Sequence, residues 1–180
     1  MSLTHILDPV ALTNLPPAAL RVGDHAPDAD LRFDGQRTRL HRWSDDAWVA
    51  LFALGAGDAL DRAAETRRLA ALLPEFRARF VKLLGVAMRA WPGEASAPFA
   101  VAFDPDGEMM RGYGLTPSAQ SVAVIDPEHR VRLLLGYPPR RERDFGEVLR
   151  LIAGLQRADA RSRADRSDWR LRQAATLGSW

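Results

Sequence analysis

The chain has 180 residues, of which 47% are hydrophobic and 27% are charged, and it contains no cysteine. This length and composition are typical of one globular domain. Because cysteine is absent, the chain cannot form disulfides, a thiolate nucleophile, or zinc and iron–sulfur centres held by thiolates. Basic and acidic side chains are nearly balanced, 25 against 23. Since they are largely interleaved, a nucleic-acid-binding function is not expected.

The first 20 residues predict an irregular arm rather than a signal peptide. They have no basic start, and the dipeptides D-P at residues 8–9 and P-P at residues 16–17 interrupt the apolar run. Nowhere does an apolar run approach the roughly 18 residues of a membrane-spanning helix. We therefore expect a cytoplasmic protein that makes no membrane contact.

After the arm, apolar periodicity and turn residues predict a regular series of elements. In chain order these are a hairpin, a buried strand, a long helix, a second buried strand, a short strand, a short helix, a second hairpin and a closing helix. They span residues 31–40, 47–54, 60–79, 80–88, 99–103, 108–113, 121–137 and 143–156.

Two further features qualify this series. Pro74 lies inside the apolar stripe of the long helix, which predicts a kink or a break there. Beyond residue 157 the sequence is rich in Arg, Asp, Ser and Ala, which predicts an extended or loosely helical tail.

A strand–helix–strand unit followed by a hairpin and a closing helix is the thioredoxin-like arrangement of an α/β protein. The helix between the two buried strands provides the crossover that parallel strands need. We therefore divide the chain into an arm over residues 1–20, a thioredoxin-like domain over residues 21–157, and an Arg-rich tail over residues 158–180.

Several short motifs, in this order and spacing, resemble one known family. They are G-D-H-A-P-D at residues 23–28, W-V-A-L-F at 48–52, L-P-E-F at 73–76, R-D-F-G-E-V-L-R at 143–150 and D-W at 168–169. Together they resemble the peroxiredoxins of the alkyl hydroperoxide reductase/thiol-specific antioxidant type, nearest the single-cysteine (1-Cys) branch. The resemblance implies a peroxiredoxin-type variant of the thioredoxin fold and a homodimer that pairs the strand at residues 131–137.

The catalytic positions implied by the resemblance all differ in this chain. The family motif is Pro-x-x-x-Thr-x-x-Cys with a distant arginine, and an ungapped alignment places these four residues on Gly55, Ala59, Arg62 and Gln120. Only Glu65 matches a family glutamate. Arginine has no usable lone pair at neutral pH, and alanine lacks a hydroxyl that could orient a peroxide. We therefore predict no catalytic residues, no thiol peroxidase turnover, and a binding or structural role.

Arg62 is the candidate anion-binding residue, because it would lie near the free N–H groups at the start of the long helix. The alternative is an i,i+4 ion pair with Asp58, which would contribute about 0.3–0.5 kcal/mol. We expect neither a cofactor nor a metal site, since the histidines show no metal-ligand spacing and are interpreted as scattered surface residues. The four histidines are His5, His25, His41 and His129.

A basic patch precedes the closing helix and comprises Arg140, Arg141 and Arg143. We interpret it as a solvated loop, with an acidic partner or RNA phosphates as the alternative ligand. A second functional hypothesis is an oxidoreductase-associated protein, such as a companion of a flavin-dependent hydroxylase, with non-thiol chemistry around Arg62 and Gln120. A third is an arginine-driven polyanion binder. Binding of a partner is the alternative role for the Arg-rich tail.

Overall fold

The computed structural model describes residues 20–33, 36–54, 59–89, 97–115, 121–138 and 142–177, with the backbone alone at 59–62 and 168–177. Its elements in chain order are β1 (Asp30–Phe33), β2 (Gln36–Arg39), α1 (Leu40–Ser44), β3 (Trp48–Ala53), α2 (Ala59–Ala78), β4 (Val81–Ala87), β5 (Ala100–Phe103), α3 (Glu108–Gly112), β6 (Val122–Ile125), β7 (Val131–Leu135) and α4 (Phe145–Leu177).

A central sheet of five strands has the order β5-β4-β3-β6-β7. β3 pairs with β4 in parallel, and β4 with β5, so that α2 is the crossover between β3 and β4. β6 is antiparallel to both β3 and β7. All six residues of β3 are buried, as its continuous apolar run predicts for a central strand.

The side chains of β3 alternate between two hydrophobic cores, one on each face of the sheet. Phe52 belongs to the core that includes Phe76 of α2 and Ile152 of α4. Leu51 belongs to the opposite core, with Leu31 of β1 and further apolar residues of α3. The described part of the sheet therefore has apolar cover on both faces.

The structure corrects the prediction at α1, where the first hairpin was expected to run to residue 40 with no helix after it. The backbone N–H of His41 donates to the carboxylate of Asp28 at 2.9 Å, and the N–H of Leu40 donates to the Ala29 carbonyl at 2.8 Å. These contacts satisfy donors that are otherwise left free at a helix start. Both acceptors belong to residues that precede β1, so the apolar periodicity around residues 40–44 could not predict this helix.

The predicted break at Pro74 does not occur, since α2 continues to Ala78. Pro74 and Ala70, four residues earlier, are both exposed. The Ala70 carbonyl loses its helical donor at a proline, and exposure leaves it accessible to water, which lowers the cost of keeping the helix intact.

The closing helix does not end at residue 156, because α4 is continuous from Phe145 to Leu177. The predicted domain boundary at residue 157 thus lies within this helix. Beyond residue 157, Arg132 of β7 binds α4. Two of its nitrogens donate to the two carboxylate oxygens of Asp159, each at 2.9 Å. Gln156 also donates to the Arg79 carbonyl at 2.9 Å. Within the described residues, no helix has the length and apolar character needed to cross a membrane.

Candidate functional site

The carboxyl end of β3 is organised by one buried cation, Arg143. Arg143 lies two residues before the start of α4, and its side chain is only 3% exposed. Nε donates to one carboxylate oxygen of Glu65 at 2.8 Å and Nη2 donates to the other at 3.0 Å. Nη1 donates to the carbonyl of Ala53, the last residue of β3. One guanidinium therefore joins the end of the central strand to α2 and to the start of α4.

Aromatic rings surround the same guanidinium. Its central carbon lies 5.1 Å from the ring centroid of Phe52 and 5.8 Å from that of Phe145. The two rings are 5.0 Å apart and meet edge to face at 71°. Such an environment excludes water, so the charge on Arg143 depends on the bidentate carboxylate for compensation.

Arg143 is therefore not part of a solvated loop, and that interpretation of the basic patch is wrong for this residue. Arg140 and Arg141 lie outside the described residues. A position just before an amphipathic helix does not by itself distinguish a buried arginine from a solvated one. The sequence signal that could have found the contact was Glu65, which matches the family pattern even though no thiolate accompanies it.

The predicted site residues are placed only in part. Ala59 is the first residue of α2 and Arg62 lies in its first turn, as expected, but their side chains are not described. Gly55 and Gln120 lie outside the described residues, as does Asp58. The anion-binding role of Arg62 thus remains a prediction. Glu65, three residues after Arg62 on the same helix, is already engaged by Arg143 and is not available as a free general base.

At the opposite end of the sheet the structure brings together three histidines that the sequence analysis treated as scattered. The rings of His41 and His129 stack at 3.9 Å between centroids, with planes only 6° apart. His25 lies 5.3 Å from His41 and 6.1 Å from His129. His5 lies outside the described residues. No local sequence motif predicted this cluster, because its members come from the segment before β1, from α1 and from the turn between β6 and β7.

A family model for AhpC/TSA proteins matches residues 22–134 of this chain. The chain belongs to the AhpC/TSA family. It is similar to Peroxiredoxin-6 of Homo sapiens, with 28% identity in an alignment that covers 86% of this chain and 81% of the relative. It is also similar to a 1-Cys peroxiredoxin of Medicago truncatula, with 25% identity in an alignment that covers 84% of this chain and 80% of the relative.

Solved structures agree with this family assignment. A yeast mitochondrial 1-Cys peroxiredoxin superposes with a TM-score of 0.69 and 26% identity, covering 78% of each chain. A mutant of Peroxiredoxin 6 of Arenicola marina superposes with a TM-score of 0.69 at 21% identity, over 77% of this chain and 74% of that one, and indicates the fold alone. The predicted peroxiredoxin resemblance and the α/β, thioredoxin-like fold are thus confirmed. This member of the AhpC/TSA family contains no cysteine.

Proposed function

We propose that this protein is an AhpC/TSA-family member without thiol peroxidase activity that acts as a homodimeric binding or structural protein. The absence of cysteine from the whole sequence carries the proposal. A thiol peroxidase needs a thiolate to attack the peroxide O–O bond. Methionine can be oxidised, but it reacts once and requires a separate reductase to be restored, so it does not support turnover.

The arrangement around Arg143 supports retention of the scaffold without the chemistry. The bidentate contact with Glu65 joins α2 to the segment before α4, and the hydrogen bond to Ala53 adds the end of β3. None of these contacts involves a sulfur atom. The end of the sheet is therefore organised by an ion pair that holds its geometry whether or not a nucleophile is present.

A peroxide-consumption assay tests the loss of peroxidase activity. The native protein, supplied with hydrogen peroxide or an alkyl hydroperoxide and excess dithiol, should consume no more peroxide than the dithiol alone. Arg62→Cys, which places a thiol at the family position, is the comparison, with Arg62→Ser as its matched control. Turnover by the native protein would refute the proposal.

The homodimer is supported by the exposed edge of the central sheet. β7 is the last strand in the sheet order, and three consecutive leucines, Leu133 to Leu135, are partly exposed along it. Its first residue is already covered, because Val131 exchanges backbone hydrogen bonds with Gly23 and Asp24 at 2.8 and 2.9 Å. An apolar strand edge of this kind favours pairing with a second copy about a two-fold axis.

Size-exclusion chromatography with light scattering tests the homodimer directly. We expect twice the chain mass at tens of micromolar. A measured mass equal to that of one chain under these conditions would exclude the homodimer. It would leave the proposed loss of peroxidase activity unaffected.

A further inference from the structure

The histidine cluster joins three segments that are far apart in the chain. His25 belongs to the segment that precedes β1, His41 to α1, and His129 to the turn between β6 and β7. His129 adopts a positive φ of 56°, a conformation that costs free energy for a residue with a side chain. Such a conformation persists only where surrounding contacts hold it, so the turn depends on the segments packed against it.

Backbone hydrogen bonds connect the same segments. The N–H of Ala26 donates to the His129 carbonyl at 2.7 Å. The N–H of Gly23 donates to the Val131 carbonyl at 2.8 Å, and the N–H of Val131 donates to the Asp24 carbonyl at 2.9 Å. Residues 23–26 thus lie along the start of β7 as a short additional strand, and the imidazoles are positioned directly over this junction.

The hydrogen-bond partners determine which ring nitrogens carry protons. The Ala26 carbonyl can only accept, so it receives N–H groups from His41 Nε2 at 2.9 Å and from His25 Nδ1 at 3.3 Å. Ser44 uses its hydroxyl proton to donate to the His41 carbonyl at 2.8 Å, and it therefore accepts from His129 Nε2 at 3.2 Å. Every one of these contacts is satisfied by neutral rings.

Charge on the rings would act against this arrangement. His41 and His129 are in face-to-face contact, and two imidazolium ions at that separation repel each other. Burial, followed by His129, lowers the pKa of His41 from its ordinary value. Asp28, whose carboxylate lies 3.9 Å from His41 Nδ1, and the hydrogen bond to the Ala26 carbonyl oppose the shift. Arg39 binds the same Asp28 carboxylate at 3.0 Å.

The other charged groups around the junction are engaged as well. The Asp24 carboxylate accepts the N–H of Arg21 at 2.8 Å. In the turn, Asp126 accepts the N–H of Arg130 at 2.8 Å and pairs with Arg132 at 2.9 Å, while Arg130 donates to the Gly23 carbonyl at 3.1 Å. Glu128 precedes His129 on the same turn and is exposed.

We propose that His25, His41 and His129 form a proton-sensitive latch that holds residues 23–26 against β7 when the rings are neutral and releases them when the rings are protonated. Release takes place below about pH 6.5, the ordinary imidazole pKa, because burial and His129 lower the pKa of His41. It frees the backbone groups of Val131, and it thereby lengthens the strand edge of β7. The latch does not depend on the proposed loss of peroxidase activity.

A metal-binding role does not fit the same cluster. Rings stacked in nearly parallel planes do not direct their nitrogens at a common point. Among the residues that the structure describes, no group of three or more His, Cys, Asp or Glu side chains could hold a metal ion. The proton is therefore the ligand that the geometry accommodates.

Amide hydrogen exchange of the full chain at about pH 7.5 and about pH 5.5, on either side of the ordinary imidazole pKa, tests the latch. After correction for intrinsic exchange, the protection of the Gly23, Ala26 and Val131 amides should fall several-fold at the lower pH. Amides of β3 should keep their protection. His129→Asn, which tolerates positive φ and does not titrate, should abolish the fall, and His5→Asn should not.

Equal protection at the two pH values, or an equal fall in the His129→Asn variant, would overturn the latch. If that variant does not fold, an NMR titration of the native protein gives the answer. The ring signals of His41 and His129 should titrate together with shifts of the Gly23 and Ala26 amides. Independent titration of the three rings, with those amides unmoved, would also overturn it.

Discussion

The guanidinium of Arg143 binds both carboxylate oxygens of Glu65, at 2.8 and 3.0 Å, across a sequence separation of 78 residues. The arginine side chain is 3% exposed and the glutamate side chain 21%. Together with the hydrogen bond from Arg143 to the Ala53 carbonyl, this contact connects the end of the central strand to α2 and to the segment before α4. Its energetics can be tested independently of any activity.

Glu65→Ala should destabilise the protein strongly, because it leaves the buried Arg143 cation without compensation. We expect a loss of about 3–5 kcal/mol in the free energy of unfolding, measured by urea denaturation. Glu75→Ala, at an exposed position of the same helix, is the matched control and should change stability by less than about 0.5 kcal/mol. Equal effects of the two substitutions would show that the ion pair is not structural.

Arg143→Met combined with Glu65→Ala should be less destabilising than the sum of the two single changes. Replacing both charges by apolar atoms removes the uncompensated ion that each single variant leaves behind. A double-mutant cycle in urea measures the difference. Additive effects would show that Arg143 and Glu65 stabilise the fold separately.

Phe80→Gly should increase stability. Phe80 follows α2 with a positive φ of 55°, and the residue is 80% exposed, so the ring has little burial to offset backbone strain. Glycine relieves that strain, and we expect a gain of about 1 kcal/mol in the free energy of unfolding. Phe80→Ala keeps the β-carbon and should gain much less. Thermal or urea unfolding in which alanine equals glycine would contradict this account.

Leu134→Arg should weaken the proposed dimer. The leucine is 37% exposed on the β7 edge, and a buried cation without a partner opposes association there. We expect the dissociation constant to rise at least about tenfold, which corresponds to about 1.4 kcal/mol. Leu151→Arg on α4, at the same exposure of 37%, is the matched control. Analytical ultracentrifugation that gives equal constants for the two variants would place the interface elsewhere.

Asp159→Asn should remove an acid-sensitive part of the stability. Hydrogen bonds from Arg132 hold the pKa of Asp159 below its ordinary value of 3.8. A carboxylate with a lowered native pKa stabilises the fold above its unfolded pKa, and the contribution disappears as the pH falls through the native value. The variant should therefore lose about 1–2 kcal/mol at neutral pH and less at acid pH below 3.8, by urea unfolding. Asp165→Asn, exposed on the same helix, should be neutral at both.

Local patterns in the sequence predicted those features that depend on neighbouring residues. The apolar runs at residues 47–54 and 80–88 became β3 and β4, buried at the centre of the sheet. Motif order and spacing pointed to the peroxiredoxins, and the AhpC/TSA match confirmed the family. The same patterns failed at α1 and beyond residue 156, where Asp28 and Arg132 stabilise helices from distant positions.

The sequence by itself determined the strands of the central sheet, the helix that connects β3 to β4, the family and the absence of cysteine, because periodicity, motif spacing and residue types can all be read along the chain. Only the tertiary structure decided that Arg143 is buried on Glu65 and that His41 stacks on His129. These residues are brought together by the packing of the sheet and its flanking segments. Burial and proximity then give them properties that their local sequence does not carry.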